Sequence, residues 1–268
     1  MYSCDEYNTN VLGTRFNPAN ALVSQFVHHV YIEYKDSDTH IWGPYKDLID
    51  VQREGSRLSI TSTDDSLALI VYGNAMGDSA HYMNGQLKIT IDRDFALYLN
   101  GLNIHSNSGP AIEVQDDEQI CYLVVTNGSK NILRDSIYQT QYHDGSIQEA
   151  DGCLYVSGQL YLDGKGQLSI LNAAEARYDA DLGDSIYTHA IYARGGLFCN
   201  YALQADLTSC YGDAIHTSGS EVKLINGTWR LYPGRDTINT EGAAITISET
   251  AKVYINDSIY STTNPDAN

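Results

Sequence analysis

Apolar and polar residues alternate along most of this chain in short runs, and no stretch carries a long apolar period of 3.6 residues. Strict alternation predicts strands with one buried and one exposed face, and almost no helix. The clearest runs occur twice. Gly212-Asp213-Ala214-Ile215-His216-Thr217-Ser218-Gly219 is followed by Val222-Lys223-Leu224 and then Trp229-Arg230-Leu231. Arg235-Asp236-Thr237-Ile238-Asn239-Thr240-Glu241-Gly242 is followed by Ile245-Thr246-Ile247 and then Val253-Tyr254-Ile255. Ile215 to Ile238 is 23 residues, and so is Leu224 to Ile247. A period in the twenties, built of strands and turns, predicts an all-β solenoid. Strands this short cannot bury their apolar rows alone, but coils stacked about 4.8 Å apart join the rows into one core.

The repeat extends backwards. Ala190-Ile191-Tyr192-Ala193-Arg194-Gly195 places its anchor 24 residues before Ile215. Cys153-Leu154-Tyr155-Val156-Ser157-Gly158, with Leu160-Tyr161-Leu162 and Leu168-Ser169-Ile170, is the unit before that; the step from Leu154 to Ile191 is 37, which calls for an insertion at residues 177–188. Ile112 lies 42 before Leu154, with an insertion at 136–150, and Ile89 lies a further 23 back. Gly158, Gly195, Gly219 and Gly242 recur just after the first strand of each unit and fit tight corners. Strands expected at 30–34, 40–42, 48–51, 58–60 and 67–71 lack the anchor. The chain therefore divides into a flexible segment 1–26 and a β-helix 27–268, made of irregular N-terminal coils 27–86, regular coils 87–256 and a tail 257–268. A separate small β domain at the N-terminal end is the alternative.

The formal net charge is −18, from 34 acids and 16 bases. That excludes an ordinary nucleic-acid surface, where Lys and Arg must neutralise phosphates. It also disfavours bare anionic polymers, unless a cation bridges. Acidic solenoid turns suit Ca²⁺, although solubility alone is a sufficient reason for the charge. Cys4, Cys121, Cys153, Cys199 and Cys210 are odd in number and contain no CxxC, so they propose no zinc site, and nothing in their spacing asks for a disulfide; Cys199 falls on an inward position and Cys153 on a small-residue position. No apolar run is long enough to span a membrane as a helix. Met1-Tyr2-Ser3-Cys4-Asp5-Glu6 resembles the end of a bacterial lipoprotein signal, which would place a lipid on Cys4 and favour export to the surface; a stray cysteine in a loose terminus is the alternative.

Stacking turns aligned residues into ladders. One outward row reads Glu113, Tyr155, Tyr192, His216 and Asn239, and a second reads Tyr161, Phe198, Lys223 and Thr246. The chain has 21 tyrosines, and aromatic faces with a polar tip suit sugar rings. Tyr155 and Tyr192 on neighbouring coils are expected to form a flat stacking platform; cross-strand packing is the plain alternative. Asp213 and Asp236 align at the turn before the anchor, with His189 in the same column and Asp151 one place earlier. Carboxylates that close need a proton or a cation between them, so Ca²⁺ is expected at Asp151, Asp213 and Asp236; solvated turn acids are the alternative. A lyase would need a base, for which Lys165, Lys223, Arg194 and Arg235 are candidates, but no catalytic motif accompanies them.

The chain also resembles a known family. Leu99-Asn100-Gly101-Leu102-Asn103-Ile104, Gly109-Pro110-Ala111-Ile112 and Asn131-Ile132-Leu133-Arg134-Asp135 follow one another in the order seen in a bacterial family of carbohydrate-binding-domain β-helix proteins. Asp151-Gly152-Cys153-Leu154-Tyr155 resembles its next coil, and Gly212-Asp213-Ala214-Ile215 and Asp236-Thr237-Ile238 resemble its DGI turns. The resemblance implies a single-stranded right-handed parallel β-helix of the pectate-lyase kind, a cell-surface location, calcium, and binding of plant-type polysaccharides, acidic ones in particular. Val156-Ser157-Gly158-Gln159 and Ala193-Arg194-Gly195-Gly196 lack the acids that the family often carries there. The expected function is non-catalytic polysaccharide binding at the cell surface or in the periplasm, through Tyr155, Tyr192, Arg194, His216 and Asn239. A Ca²⁺-dependent polysaccharide lyase and an adhesin or structural spacer without a sugar ligand are the alternatives.

Overall fold

A computed structural model describes residues 23–34, 39–73, 83–115, 119–136, 151–179 and 183–260. These residues are all-β, with a single 3₁₀ turn at Lys46–Leu48 and no α-helix among them. Their strands form parallel-rich sheets of nine, eight and eight strands, plus a two-stranded hairpin. From Arg57 onward the chain visits the three large sheets in a fixed order. Gly152–Val156 joins the sheet of anchor strands, Gln159–Gly164 a second sheet and Gln167–Asn172 a third. The next turn of chain supplies His189–Ala193, Leu197–Cys199 and Gln204–Ser209, each parallel to its predecessor. Ile215–His216, Val222–Leu224 and Thr228–Tyr232 then repeat the pattern.

The register brings together the residues that alternation had aligned. Leu154, Ile191, Ile215 and Ile238 form one column of the anchor sheet. Leu162, Cys199, Leu224 and Ile247 form a column of the second, and Ile170, Leu207, Leu231 and Ile255 a column of the third. Leu154, Ile191 and Ile215 are fully buried, each burial contributing about 1.5–3 kcal/mol. Ile238 is only half-buried, because its strand is the last of its sheet. The outward row Glu113, Tyr155, Tyr192, His216 and Asn239 also falls in register. One alignment is corrected. Ile112 lies over Leu87, while Ile89 faces Val114. A slip of two residues keeps every side chain on its face, so alternation cannot detect it.

Gly195 sits where an added Cβ would come within 2.7 Å of the Gly158 backbone, so the corners of successive coils touch. The insertion expected at 177–188 is a hairpin, Arg177–Asp179 antiparallel to Asp184–Ile186. Most of the other expected insertion, 137–150, lies outside the described residues.

At the N-terminal end, His28–Tyr34 pairs in parallel with Leu67–Tyr72 and antiparallel with Thr39–Trp42. Asp50–Glu54 folds back antiparallel on Arg57–Ser62. These strands extend the second and anchor sheets, and each sheet's edge there is a hairpin strand rather than another coil. Val23 and Phe26 belong to the segment expected to be loose, yet they are buried against Ala68, Ala96 and Tyr122 on the outer face of the second sheet. At the other end Ser258–Tyr260 turns back antiparallel on Lys252–Ile255.

Candidate functional site

The site forms at the corner where the third sheet hands the chain back to the anchor sheet. Here the inward row of the third sheet becomes polar: Asp135, Asn172 and Ser209 stack in register, all buried. The Asn172 amide donates to the Asp135 carboxylate at 2.8 and 3.1 Å, the Ala173 N–H donates to it at 2.9 Å, and the Ser209 hydroxyl donates to Asn172 Oδ1 at 2.8 Å. A buried carboxylate is tolerable only with such donors. The row ends on the next turn, where the Gly212 N–H donates to Ser209 Oγ at 3.1 Å. Gly212 lies so close to the Thr188 carbonyl that a Cβ would collide with it. These contacts fix the two corners that carry His189 and Asp213.

Asp213 is fully buried. Its Oδ2 accepts the Nδ1–H of His216 at 2.8 Å, and its Oδ1 accepts the backbone N–H of Asp236 at 3.0 Å. Its own N–H donates to His189 Nδ1 at 3.0 Å, so that nitrogen carries no proton. The two imidazoles stack, with centroids 4.2 Å apart and planes 13° apart. Burial, then the neighbouring His216, push the His189 pKa down to about 3 against the pull of Asp213. Burial works against the charge on Asp213, but the His216 hydrogen bond and the nearby His189 and Asp236 N–H outweigh it, and the carboxyl titrates below its ordinary range. His216 Nε2 lies 3.5 Å from Glu241 Oε1, at the exposed side. Tyr192 stands edge-on to His216 at 4.8 Å, and its hydroxyl is 2.6 Å from Ser218 Oγ.

The column His189, Asp213, Asp236 therefore works differently from the expected calcium site. His189 accepts the amide N–H of Asp213 one coil later, and Asp213 accepts that of Asp236. The amides supply the positive end that a cation was expected to provide. Asp236 has an exposed side chain, and Asp151 pairs with Arg177 at 3.0 Å. Asp151, Asp213 and Asp236 do not form one oxygen cluster. Calcium takes about six to eight oxygen ligands, and these residues do not fit it. Among the described residues, the group that brings three metal-capable side chains together is His189, Asp213 and His216, whose ligand atoms all lie within 4.8 Å of one another.

The expected tyrosine platform is also corrected. Tyr155 is 3% exposed and meets Tyr192 edge-to-face, at 5.5 Å and 82°. It props Tyr192 up as a cross-strand partner rather than presenting a ring to solvent. Tyr192, Arg194, His216 and Asn239 are partly exposed, and they lie on the last coils of the anchor sheet. In the second outward row, Tyr122, Tyr161 and Phe198 stack at 5.2 and 5.0 Å, with Lys223 Nζ 5.5 Å over the Phe198 ring. Near-parallel rings this close cover one another's faces, so this row stiffens the sheet. Of the candidate bases, Lys223 Nζ lies 2.7 Å from Glu221 and Arg235 lies over the Tyr187 ring. Sequence reasoning missed a third aromatic group, in which Tyr31, Trp42 and Tyr72 lie 5.6, 5.8 and 6.4 Å apart in near-parallel planes. Their strands carry no repeat that could have flagged them.

No curated protein and no solved structure matches the chain. A family model described as carbohydrate-binding domain-containing protein matches residues 76–264. That span takes in the polar corner, the aromatic rows and every coil from Gln86 to Ile255, more than half of the chain, and the chain belongs to this carbohydrate-binding domain-containing family.

Proposed function

We propose that this protein is a non-catalytic polysaccharide-binding protein, and that the partly exposed row Tyr192, His216 and Asn239, with Arg194 beside it, holds the glycan. The observation that carries this reading is the family membership over the coils that build the row. The row itself offers an aromatic ring with a polar tip, an imidazole, an amide and a guanidinium on one rigid sheet, the mixture that sugar hydroxyls and C–H faces require. In this reading the coils wind as one right-handed parallel β-helix, the hand that parallel strands joined by crossovers nearly always take. A neutral glycan fits better than the acidic one suggested by the resemblance. The chain carries −18, and Lys223, Arg230 and Arg177 each lie beside an acid. Calcium is not carried into the reading, for the reason given above. A bacterial surface location with a lipid on Cys4 belongs to the proposal and rests on the sequence of residues 1–6.

The test is a glycan array of neutral and acidic plant-type polysaccharides, run with and without chelator, followed by binding isotherms for Tyr192→Ala and Arg194→Ala. Binding that survives chelator and weakens about tenfold or more in both variants supports the proposal. An empty array, or binding that neither variant alters, rejects it.

A further inference from the structure

Asp213 decides which hydrogen-bonding face His216 turns outward. The carboxylate is fully buried and accepts the Nδ1–H of His216 at 2.8 Å. Its other oxygen is held by the Asp236 N–H at 3.0 Å, so it cannot turn away. His189 lies flat against one face of the His216 imidazole, at 4.2 Å and 13°, and Tyr192 meets it edge-to-face at 4.8 Å. Turning the His216 ring over would replace its N–H by a C–H and leave a buried carboxylate oxygen short of a donor. A neutral imidazole has one N–H, and here Nδ1 carries it. Nε2 is therefore a bare lone pair, and it faces the exposed residue Glu241.

Glu241 Oε1 lies 3.5 Å from that lone pair and is also an acceptor. Two acceptors this close gain nothing from each other and need donors placed on them. The backbone sets Glu241 at this spot. Its N–H donates to Asn239 Oδ1 at 3.1 Å, and it holds a φ of 51°, in the left-handed region. We infer that His216 Nε2 and the Glu241 carboxylate together accept two hydroxyl protons of one sugar ring, and that Asp213 is the positioning residue that keeps Nε2 an acceptor. This rests on the glycan-binding row proposed above and adds Glu241 and Asp213 to it. The acceptors are 3.5 Å apart, so the donors reaching them must be close neighbours, as adjacent hydroxyls on one ring are. The pair also selects by chemistry. A neutral sugar offers hydroxyl donors, whereas a uronate carboxylate would bring a further acceptor and a like charge beside Glu241.

Asparagine at position 213 reverses the tautomer without emptying the corner. Its Oδ1 keeps the Asp236 N–H, and its NH₂ faces His216, where only a bare Nδ1 fits. The imidazole proton then moves to Nε2, and the outward acceptor becomes a donor. A merely structural role for Asp213 gives no such exchange of protons.

The experiment has two readouts on the full chain. Imidazole ¹⁵N shifts in mildly alkaline solution, with His216 assigned by its loss in His216→Gln, report the tautomer and require no glycan. Affinity gel electrophoresis in xyloglucan, galactomannan and mixed-linkage β-glucan, all neutral, reports binding. The native chain should show Nδ1–H at His216 and be retarded by at least one of these polymers. Asp213→Asn should show Nε2–H and bind about tenfold more weakly or worse, and Glu241→Ala, an exposed change, should bind about tenfold more weakly with Nδ1–H unmoved. If none of the polymers retards the native chain, the glycan reading fails for neutral plant-type polysaccharides and this inference falls with it. If the native chain binds but carries Nε2–H at His216, or either variant binds as tightly as the native chain, the inference alone is overturned. So it is if Asp213→Asn loses affinity with its tautomer unchanged, because Asp213 would then act through its charge. Should Asp213→Asn fail to fold, the native tautomer and Glu241→Ala decide.

Discussion

Burial keeps His189 neutral in the fold, and lowering the pH should expose the cost. Its folded pKa is about 3 against an ordinary 6.5, for reasons of burial first and then the charges of His216 and Arg235. Between these two values the unfolded chain takes up a proton that the folded chain refuses. Stability is therefore fully present above pH 6.5 and is lost as the pH falls towards 3, at up to about 1.4 kcal/mol per pH unit. From pH 6.5 to 4.5 the loss from this one group is at most about 2.5 kcal/mol. The groups facing it are Asp213, His216, Arg235 and the Tyr192 ring. Asp213 has the same sign, since its lowered pKa gives stability that disappears only below the ordinary carboxylate value of 3.8, under this window. The assay is urea unfolding of the chelator-treated protein at half-unit steps from pH 7.5 to 4.5, for the native sequence and for His189→Gln. Glutamine retains an oxygen for the Asp213 N–H and removes the titration. The variant should be the less stable at pH 7.5, and the difference should shrink by about 1.5–2.5 kcal/mol by pH 4.5. Histidines away from this corner cancel in the comparison. Parallel curves through this window, or an imidazole signal from His189 titrating near 6.5, would refute the argument.

Two further predictions concern the interior. Trp229 is fully buried, lies between Ala205 and Val253 in its column, and donates its Nε1–H to the Asn226 carbonyl at 3.0 Å. Trp229→Ala should cost about 3–5 kcal/mol, measured by chemical unfolding, and a cost near 1 kcal/mol would mean the column is loosely packed. Cys121, Cys153 and Cys199 are buried, and desolvation first of all raises their thiol pKa values, to about 12 for Cys199. In a Cys4→Ser background a thiol reagent should therefore label exposed Cys210 alone under native conditions, with the other three reacting only on unfolding.

The columns were readable because their cause is local. Ile191, Ile215 and Ile238 are spaced by chain lengths that must return the strand to the same place, and alternation fixes which face they occupy. The slip at Ile112 was unreadable for the same reason, since moving two residues costs no change of face. The site was legible only in part. Asp213 and His216 stand inside the repeat and were singled out. Their chemistry was not, because it depends on which atom meets which across a coil. Column arithmetic treats His189, Asp213 and Asp236 as like positions carrying like roles. The fold makes His189 and Asp213 each the acceptor for the next coil's amide, and this turns an expected repulsion into a hydrogen-bonded ladder. The burial of Tyr155 was equally hidden, since alternation marks a residue as outward-facing without saying what packs over that face.

The close approach of one coil to the next can be separated from turn strain by a pair of glycines. Gly164 and Gly219 both have positive φ, 99° and 64°. Gly164 closes Gln159–Gly164 directly over Val125 of the preceding coil, and a Cβ there would collide with the Val125 carbonyl oxygen. Gly219 stands at an exposed corner with nothing within 4 Å of its would-be Cβ. Alanine at either position pays for the left-handed conformation, about 1 kcal/mol. Alanine at 164 must also push two backbones apart, and a main-chain oxygen has no rotamer to escape into. Gly164→Ala should therefore destabilise by at least about 2 kcal/mol more than Gly219→Ala. Because coils in a stack contact only their neighbours, the damage should be local. Amide exchange should accelerate first in Ile120–Val125 and Gln159–Gly164, while Thr228–Tyr232 keeps its protection. Equal costs for the two substitutions would show that strain alone governs both corners, and that the coils do not meet at the spacing on which the columns, and the corner holding His189 and Asp213, depend.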